Sequence, residues 1–242
     1  MKHHLFVIIA LSAFALLSAC DDDNFLVKGS GSNVENTRQP SNFNGISLCI
    51  SANVEVYRDS VFKVVLIGQQ NILNVIETRV SGDELNISLQ RGTSIRKHNP
   101  ITIKVYMPDI KKVNISGSGN LSFIDEFNAE ELNTIVSGSG NITCRGNVNK
   151  RFTANISGSG NIRHNGTGTC NSADYTISGS GNIYAEWLKV NDVNARISGS
   201  GDMWIDAERL LDISISGSGS VHYRGRPTVS VHISGSGKAE SI

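Results

Sequence analysis

Apolar and polar residues alternate along most of this chain with a period of two, the pattern of β-strands with one buried face. The alternation is phased on the tetrapeptide Ser-Gly-Ser-Gly, which begins at Ser116, Ser137, Ser157, Ser178, Ser198, Ser216 and Ser234. A β-branched residue stands before each copy: Ile115, Val136, Ile156, Ile177, Ile197, Ile215 and Ile233. Two residues earlier come Val113, Thr134, Ala154, Tyr175, Ala195, Ile213 and Val231. After the tetrapeptide the alternation resumes with Leu121, Ile142, Ile162, Ile183, Met203 and Val221, then with Phe123, Cys144, His164, Ala185, Ile205 and Tyr223. The copies are spaced by 21, 20, 21, 20, 18 and 18 residues. That period is too short for a helix pair and fits one turn of a β-solenoid, so the chain is predicted to be all-β, a stack of parallel coils.

Parity carries through the tetrapeptide. Both glycines fall on the inward set, and both serines fall outward with the following Asn120, Asn141, Asn161 and Asn182. Inward glycines are expected where the core is thinnest and opposing walls approach. Stacking at roughly 4.8 Å per coil predicts a column on the order of 30 Å tall for the seven repeats. Its outer face should carry two serine ladders and an asparagine ladder, the latter fading to Asp202, Ser220 and Lys238.

Upstream, residues 42–110 lack the tetrapeptide but keep strand signals, such as Ile46, Leu48 and Ile50, or Ile101, Ile103, Val105 and Met107. An open solenoid end invites edge-to-edge association, and this segment is expected to form an irregular β N-terminal cap. The single solenoid domain is therefore drawn over 42–242, with regular coils over 111–242.

The first residues change the picture from fold to location. Lys2, an apolar run from Leu5 to Leu17, and the sequence Leu17-Ser18-Ala19-Cys20 have the form of a secretory signal, and the run is too short to span a bilayer. The last four residues resemble the bacterial lipobox, which implies cleavage after residue 19 and lipidation, with palmitate among the acyl chains, of Cys20. Residues 20–41, with Asp21, Asp22 and Asp23 and a Gly/Ser/Asn-rich stretch, read as a flexible tether. An acidic run at this position resembles the surface-export signal of some bacterial lipoproteins. An Asp directly after the lipidated cysteine also resembles an inner-membrane retention signal. The expected location is the cell envelope, with the outer membrane or cell surface preferred to the periplasmic face of the inner membrane.

Charge is balanced, 22 basic residues against 22 acidic, and no cationic run points to nucleic acid. Cys144 has inward parity and reads as a small buried residue. A disulfide between Cys144 and Cys170 is compatible with an oxidising compartment, although the two differ in offset from their preceding repeats. The acids, Asp125, Glu130, Asp174, Glu186, Asp192, Asp206 and Asp212 among them, read as scattered between coils, without the paired carboxylates of glycoside cleavage. His164 reads as core-facing. Only Asp202 follows a tetrapeptide, so the recurrent aspartate of calcium-binding nonapeptides is missing, and no metal or other cofactor is expected.

The motif Ile-Ser-Gly-Ser-Gly-Asn-Ile, whole at Ile156–Ile162 and Ile177–Ile183, resembles that of the bacterial head-GIN-domain family, the heads of proposed auto-transporter adhesins. The resemblance runs from about Phe43 to the C-terminus and implies a right-handed β-helix, often in a lipoprotein. A translocator barrel is absent from the sequence given, and the lipid anchor would take its place. Two functions stay open. One is an envelope-anchored, non-enzymatic, adhesin-like binding module for a glycan or surface protein, with Tyr184, Trp187 and Trp204 stacking on sugars and Asn141, Asn161 and Asn182 presenting amides. The other is a structural or assembly component of the periplasm, its aromatics packed at coil corners. A polysaccharide-active enzyme ranks below both.

Overall fold

The computed structural model describes residues 25–242; the signal segment and Cys20 lie outside them. Two parallel walls enclose one core. The first wall stacks Gly45–Leu48, Lys112–Ile115, Ala129–Val136, Val148–Ile156 and Gly168–Ile177, then the later halves of Ile183–Ile197 and Met203–Gly217, then Thr228–Gly235. The second stacks Asn53–Arg58, Asn120–Phe123, Asn141–Cys144 and Ile162–His164, then the early halves of the two long strands, then Val221–Arg224 and Ala239–Ser241. The chain is a β-solenoid.

Register explains why the repeat is needed. Val113, Thr134, Ala154, Tyr175, Ala195, Ile213 and Val231 are successive partners in one inward column. Leu121, Ile142, Ile162, Ile183, Met203 and Val221 form another. A repeat that keeps its phase places apolar residues above apolar residues, and the core continues from coil to coil. Size is balanced within a column: Tyr175, fully buried, lies between Ala154 and Ala195. The buried Thr134 donates its hydroxyl to the Thr153 carbonyl at 3.0 Å, whereas the Tyr175 hydroxyl, also buried, has no hydrogen-bond partner.

The glycines face inward, but what crowds them is the neighbouring coil rather than the opposite wall. A methyl group on Gly158 or Gly179 would sit well inside contact distance of the carbonyl oxygen of the glycine one coil earlier, Gly138 or Gly158. That oxygen is occupied: the Gly138 carbonyl accepts from Ser159 N at 3.0 Å and from Gly160 N at 3.2 Å. The tetrapeptides thus form a hydrogen-bonded corner in which successive backbones nearly touch.

The N-terminal cap is threaded out of sequence order. Glu84–Leu89 and Thr102–Met107 pair in parallel with Gly45–Leu48 and Asn53–Arg58, and the latter two then pair with the first repeat coil. The earliest coil in sequence is therefore sandwiched between two later ones. Ile76–Ser81 folds back on Glu84–Leu89 as an antiparallel hairpin, and Lys63–Gln69 runs antiparallel to Thr102–Met107. A one-turn helix, Gln70–Leu73, buries Ile72 and Leu73 at this end.

Part of the segment expected to be a tether is ordered. Phe25–Lys28 pairs with Thr93–Arg96, and Asn33–Arg38 pairs with Lys63–Gln69. An edge strand can be held by backbone bonds with few apolar side chains. Here Arg38 adds side-chain donors to Leu73 O, Ile76 O and Thr78 Oγ1. Cys144 and Cys170 are both buried free thiols, and Cys49 is an exposed one.

Candidate binding surface

The outer face of the second wall carries two side-chain ladders, two residues apart along each strand. The first is the asparagine ladder. Asn120 donates Nδ2 to Asn53 Oδ1 at 3.1 Å, Asn141 to Asn120 at 2.8 Å, Asn161 to Asn141 at 2.8 Å, and Asn182 to Asn161 at 3.1 Å. The Asn141 and Asn161 oxygens also accept backbone N–H groups, from Asn161 N and Asn182 N, and the Asn182 oxygen accepts from Asp202 N. Asp202 continues the role by accepting from Ser220 N at 2.7 Å. Each amide is thus engaged above and below, a mutual satisfaction that only in-register stacking allows.

The second ladder follows one offset in every repeat: Thr143, Arg163, Tyr184, Trp204, His222 and Glu240 are successive partners. The Arg163 guanidinium lies 3.9 Å from the centre of the Tyr184 ring. Tyr184 stacks on Trp204 at 4.8 Å and 10°, and Trp204 on His222 at 5.0 Å and 19°. His222 Nδ1 lies 3.6 Å from the Glu240 carboxylate. Both faces of the Tyr184 and Trp204 rings are therefore covered by ladder neighbours. They present edges to solvent rather than platforms.

Trp187 is placed differently. It is 53% exposed, at a corner where the coil changes length. Ala185 pairs with Ile205, but the next pair is Lys189 with Asp206, so Glu186, Trp187 and Leu188 have no partner on the following coil. This ledge overhangs a cleft of about 400 Å³ lined by Thr169, Glu186, Trp187, Lys189, Asp206 and Arg224, with Thr167 and Gly168 at its side. The Arg224 guanidinium sits 4.9 Å from the Trp187 ring centre.

Electrostatics single out Asp206. Its neighbours in register are Lys189 and Arg224, yet it is only 9% exposed and its Oδ1 has no hydrogen-bond partner. Burial pushes its carboxyl above the usual range, Glu208 adds to the rise, and Lys189 and Arg224 oppose it. Glu186 Oε2 is likewise buried without a partner.

Of the residues singled out from sequence, Asn141, Asn161, Asn182, Tyr184 and Trp204 come together on one face, and Trp187 stands apart at the corner. Cys20 lies outside the described residues. The sequence reading missed Arg163 and His222 as ladder members, and Glu186, Lys189, Asp206 and Arg224 as a cluster. A signal for the cluster exists: Glu186, Asp206 and Arg224 each stand eight residues after the first serine of their tetrapeptide. The acids are therefore not all scattered.

Two parallel walls, a glycine-serine corner and a rigid polar face define a β-solenoid of the adhesin-like kind. The chain belongs to the family described as "putative auto-transporter adhesin, head GIN domain", whose profile matches residues 42–227. A crystal structure of a putative adhesin from Bacteroides fragilis is similar, with a TM-score of 0.84 at 23% identity over 89% of this chain and 100% of that one. A putative adhesin from Parabacteroides merdae has a TM-score of 0.72 at 21% identity, over 90% of this chain and 99% of that one. A protein from Parabacteroides distasonis called a putative lipid binding protein has 0.73 at 24%, with the same coverage. At these identities the likeness concerns the fold. Among curated proteins none matches the chain.

Proposed function

We propose that this protein is a non-enzymatic, adhesin-like lipoprotein, held through Cys20 in the bacterial cell envelope. It would present the second wall and its corner cleft to a glycan or a surface protein. The observation that carries this reading is the preorganised outer wall. From Asn120 to Asn182 the outward-facing, mostly half-buried amides are fixed by one another, so a partner meets a surface whose ordering cost has already been met in folding. Membership of an adhesin-like family supports the same conclusion. A catalytic reading would need two carboxylates working as acid and base with a bond placed between them. Glu186 and Asp206, the pair at the cleft, share it instead with two cations and an indole.

One observation favours a second reading, a structural component of the periplasm. The ring faces of Tyr184 and Trp204 and the amides of the asparagine ladder are spent on coil-to-coil contacts, as a purely architectural column would require. Protease treatment of intact cells carrying an epitope-tagged protein, beside lysed cells, separates the two. Cleavage on intact cells is the expected result. Protection on intact cells with cleavage after lysis would favour the periplasmic component.

A further inference from the structure

The corner cleft has features that coil packing does not require. The coil length drops from 20 to 18 residues between the tetrapeptides at Ser198 and Ser216; three residues, Glu186–Leu188, lose their partners at this corner, and a second register shift between Val190 and Asp192 restores one. A shortened coil could close over with a small turn. This one instead leaves an indole half in solvent; among the described residues Phe25 is the one other large ring left exposed.

Beneath the indole, the buried Asp206 carboxylate keeps an unpartnered oxygen between two cations that are engaged elsewhere. Lys189 is 3.8 Å from Glu208, and Arg224 lies over Trp187. A buried acceptor left unsatisfied is destabilising, and Glu186 leaves a second. A ligand that donates hydrogen bonds at this depth would recover that cost.

The lining narrows the ligand class. Two carboxylates and two cations balance, which disfavours a strongly anionic or cationic occupant. Apart from the indole, the lining side chains are threonines and charged residues with no aliphatic residue among them, which disfavours an acyl chain. A hydroxyl can donate to a carboxylate while accepting from Lys or Arg, and the C–H face of a sugar ring is complementary to an exposed indole. The volume of about 400 Å³ falls in the range of small-ligand sites.

We propose that the cleft under Trp187 binds a neutral pyranose, its apolar face on the Trp187 indole and its hydroxyls shared between Asp206, Glu186, Lys189 and Arg224. The proposal rests on the binding-module reading and deepens it by naming the site and the ligand class. Tyr184 and Trp204 are then not sugar platforms but struts that hold the wall beside the site.

The test is calorimetric titration of the full chain in a non-glycosidic detergent. The probes are hexamers of glucose, mannose, galactose and N-acetylglucosamine, with galacturonate and glucosamine hexamers as charged comparators. Binding of at least one neutral series is expected. Trp187→Ala and Asp206→Asn should each weaken it by about tenfold or more, with circular dichroism and melting temperature close to wild type. Trp204→Phe, which keeps an aromatic strut, should leave affinity within about threefold. Because Trp187 is exposed, its variant stays informative even if Asp206→Asn is unstable. The assignment is overturned if no neutral hexamer binds at millimolar concentration, if only charged hexamers bind, or if both variants bind as wild type does. If it falls while intact cells still expose the column to protease, the binding-module reading survives with another site. If the column is also protected, both fall.

Discussion

His164 shows how a single polar residue is accommodated in the core and what that does to stability. It is almost fully buried against Phe152, with ring centres 5.1 Å apart, and its Nδ1 accepts from Gly166 N at 3.3 Å. The proton of the neutral ring is thereby placed on Nε2. Burial pulls its pKa down to about 4. Between that value and about 6.5 the unfolded chain binds a proton that the folded chain refuses, so stability rises with pH across this window. The His164 contribution is complete above about pH 6.5 and is lost as pH falls towards 4, a change of roughly 3 kcal/mol. Urea unfolding at several pH values should show it as a difference between wild type and His164→Leu, whose stability falls less steeply on acidification. Parallel slopes would mean that His164 ionises in the fold as freely as in the unfolded chain. The inward place of His164 and Cys144 was legible from parity alone. The covered faces of Tyr184 and Trp204 were not, because strand periodicity says which side a ring is on and nothing about what lies one coil away. Reading down a fixed offset, from Arg163 to Tyr184, Trp204 and His222, supplies that missing dimension.

At the scale of the element, the tetrapeptide corner matters more to the fold than the strands on either side of it. Strand positions tolerate exchange among Ile, Val, Leu and Met, as the column Leu121, Ile142, Ile162, Ile183, Met203 and Val221 shows. The corner tolerates no side chain at its glycines, since even a methyl group at Gly158 meets the Gly138 carbonyl and disturbs the two hydrogen bonds that oxygen accepts. Gly158→Ala is expected to destabilise at the upper end of the roughly 1–3 kcal/mol typical of overpacking, and Gly158→Val by more. Ser159→Ala, on the exposed side of the same corner, should change the denaturation midpoint little. A wild-type midpoint for Gly158→Ala would show that the coils can separate locally at no cost. The sequence made this corner visible as a repeat, and inward parity followed from it. The reason for glycine did not, since the nearest obstacle is the preceding coil and not the far wall. The ordered strand Asn33–Arg38 escaped notice for a related cause. Its sequence is polar, and what fixes it is the free backbone edge of Lys63–Gln69.

Taken whole, the molecule is a one-dimensional stack whose first coil is held from both sides. Leu48 is fully buried and pairs in register with Ile87 on one side and Ile115 on the other, so the cap and the repeat coils share a core residue. Stacked repeats communicate through nearest neighbours, and a continuous core without a weak interface transmits a local loss along the stack. Both tryptophans, Trp187 and Trp204, lie several coils away in the C-terminal part, where their fluorescence reports that region alone, while circular dichroism reports all strands. Leu48→Ala should cost about 2–5 kcal/mol, as large-to-small changes in a packed core do. If the stack is one cooperative unit, the fluorescence and dichroism midpoints shift together in denaturant. An unmoved tryptophan transition beside a lowered dichroism midpoint would show that the cap melts independently. The coils that carry the corner cleft would then be stable without it. A shared shift would instead tie the geometry of the Trp187 ledge to the interleaved cap at the far end of the column.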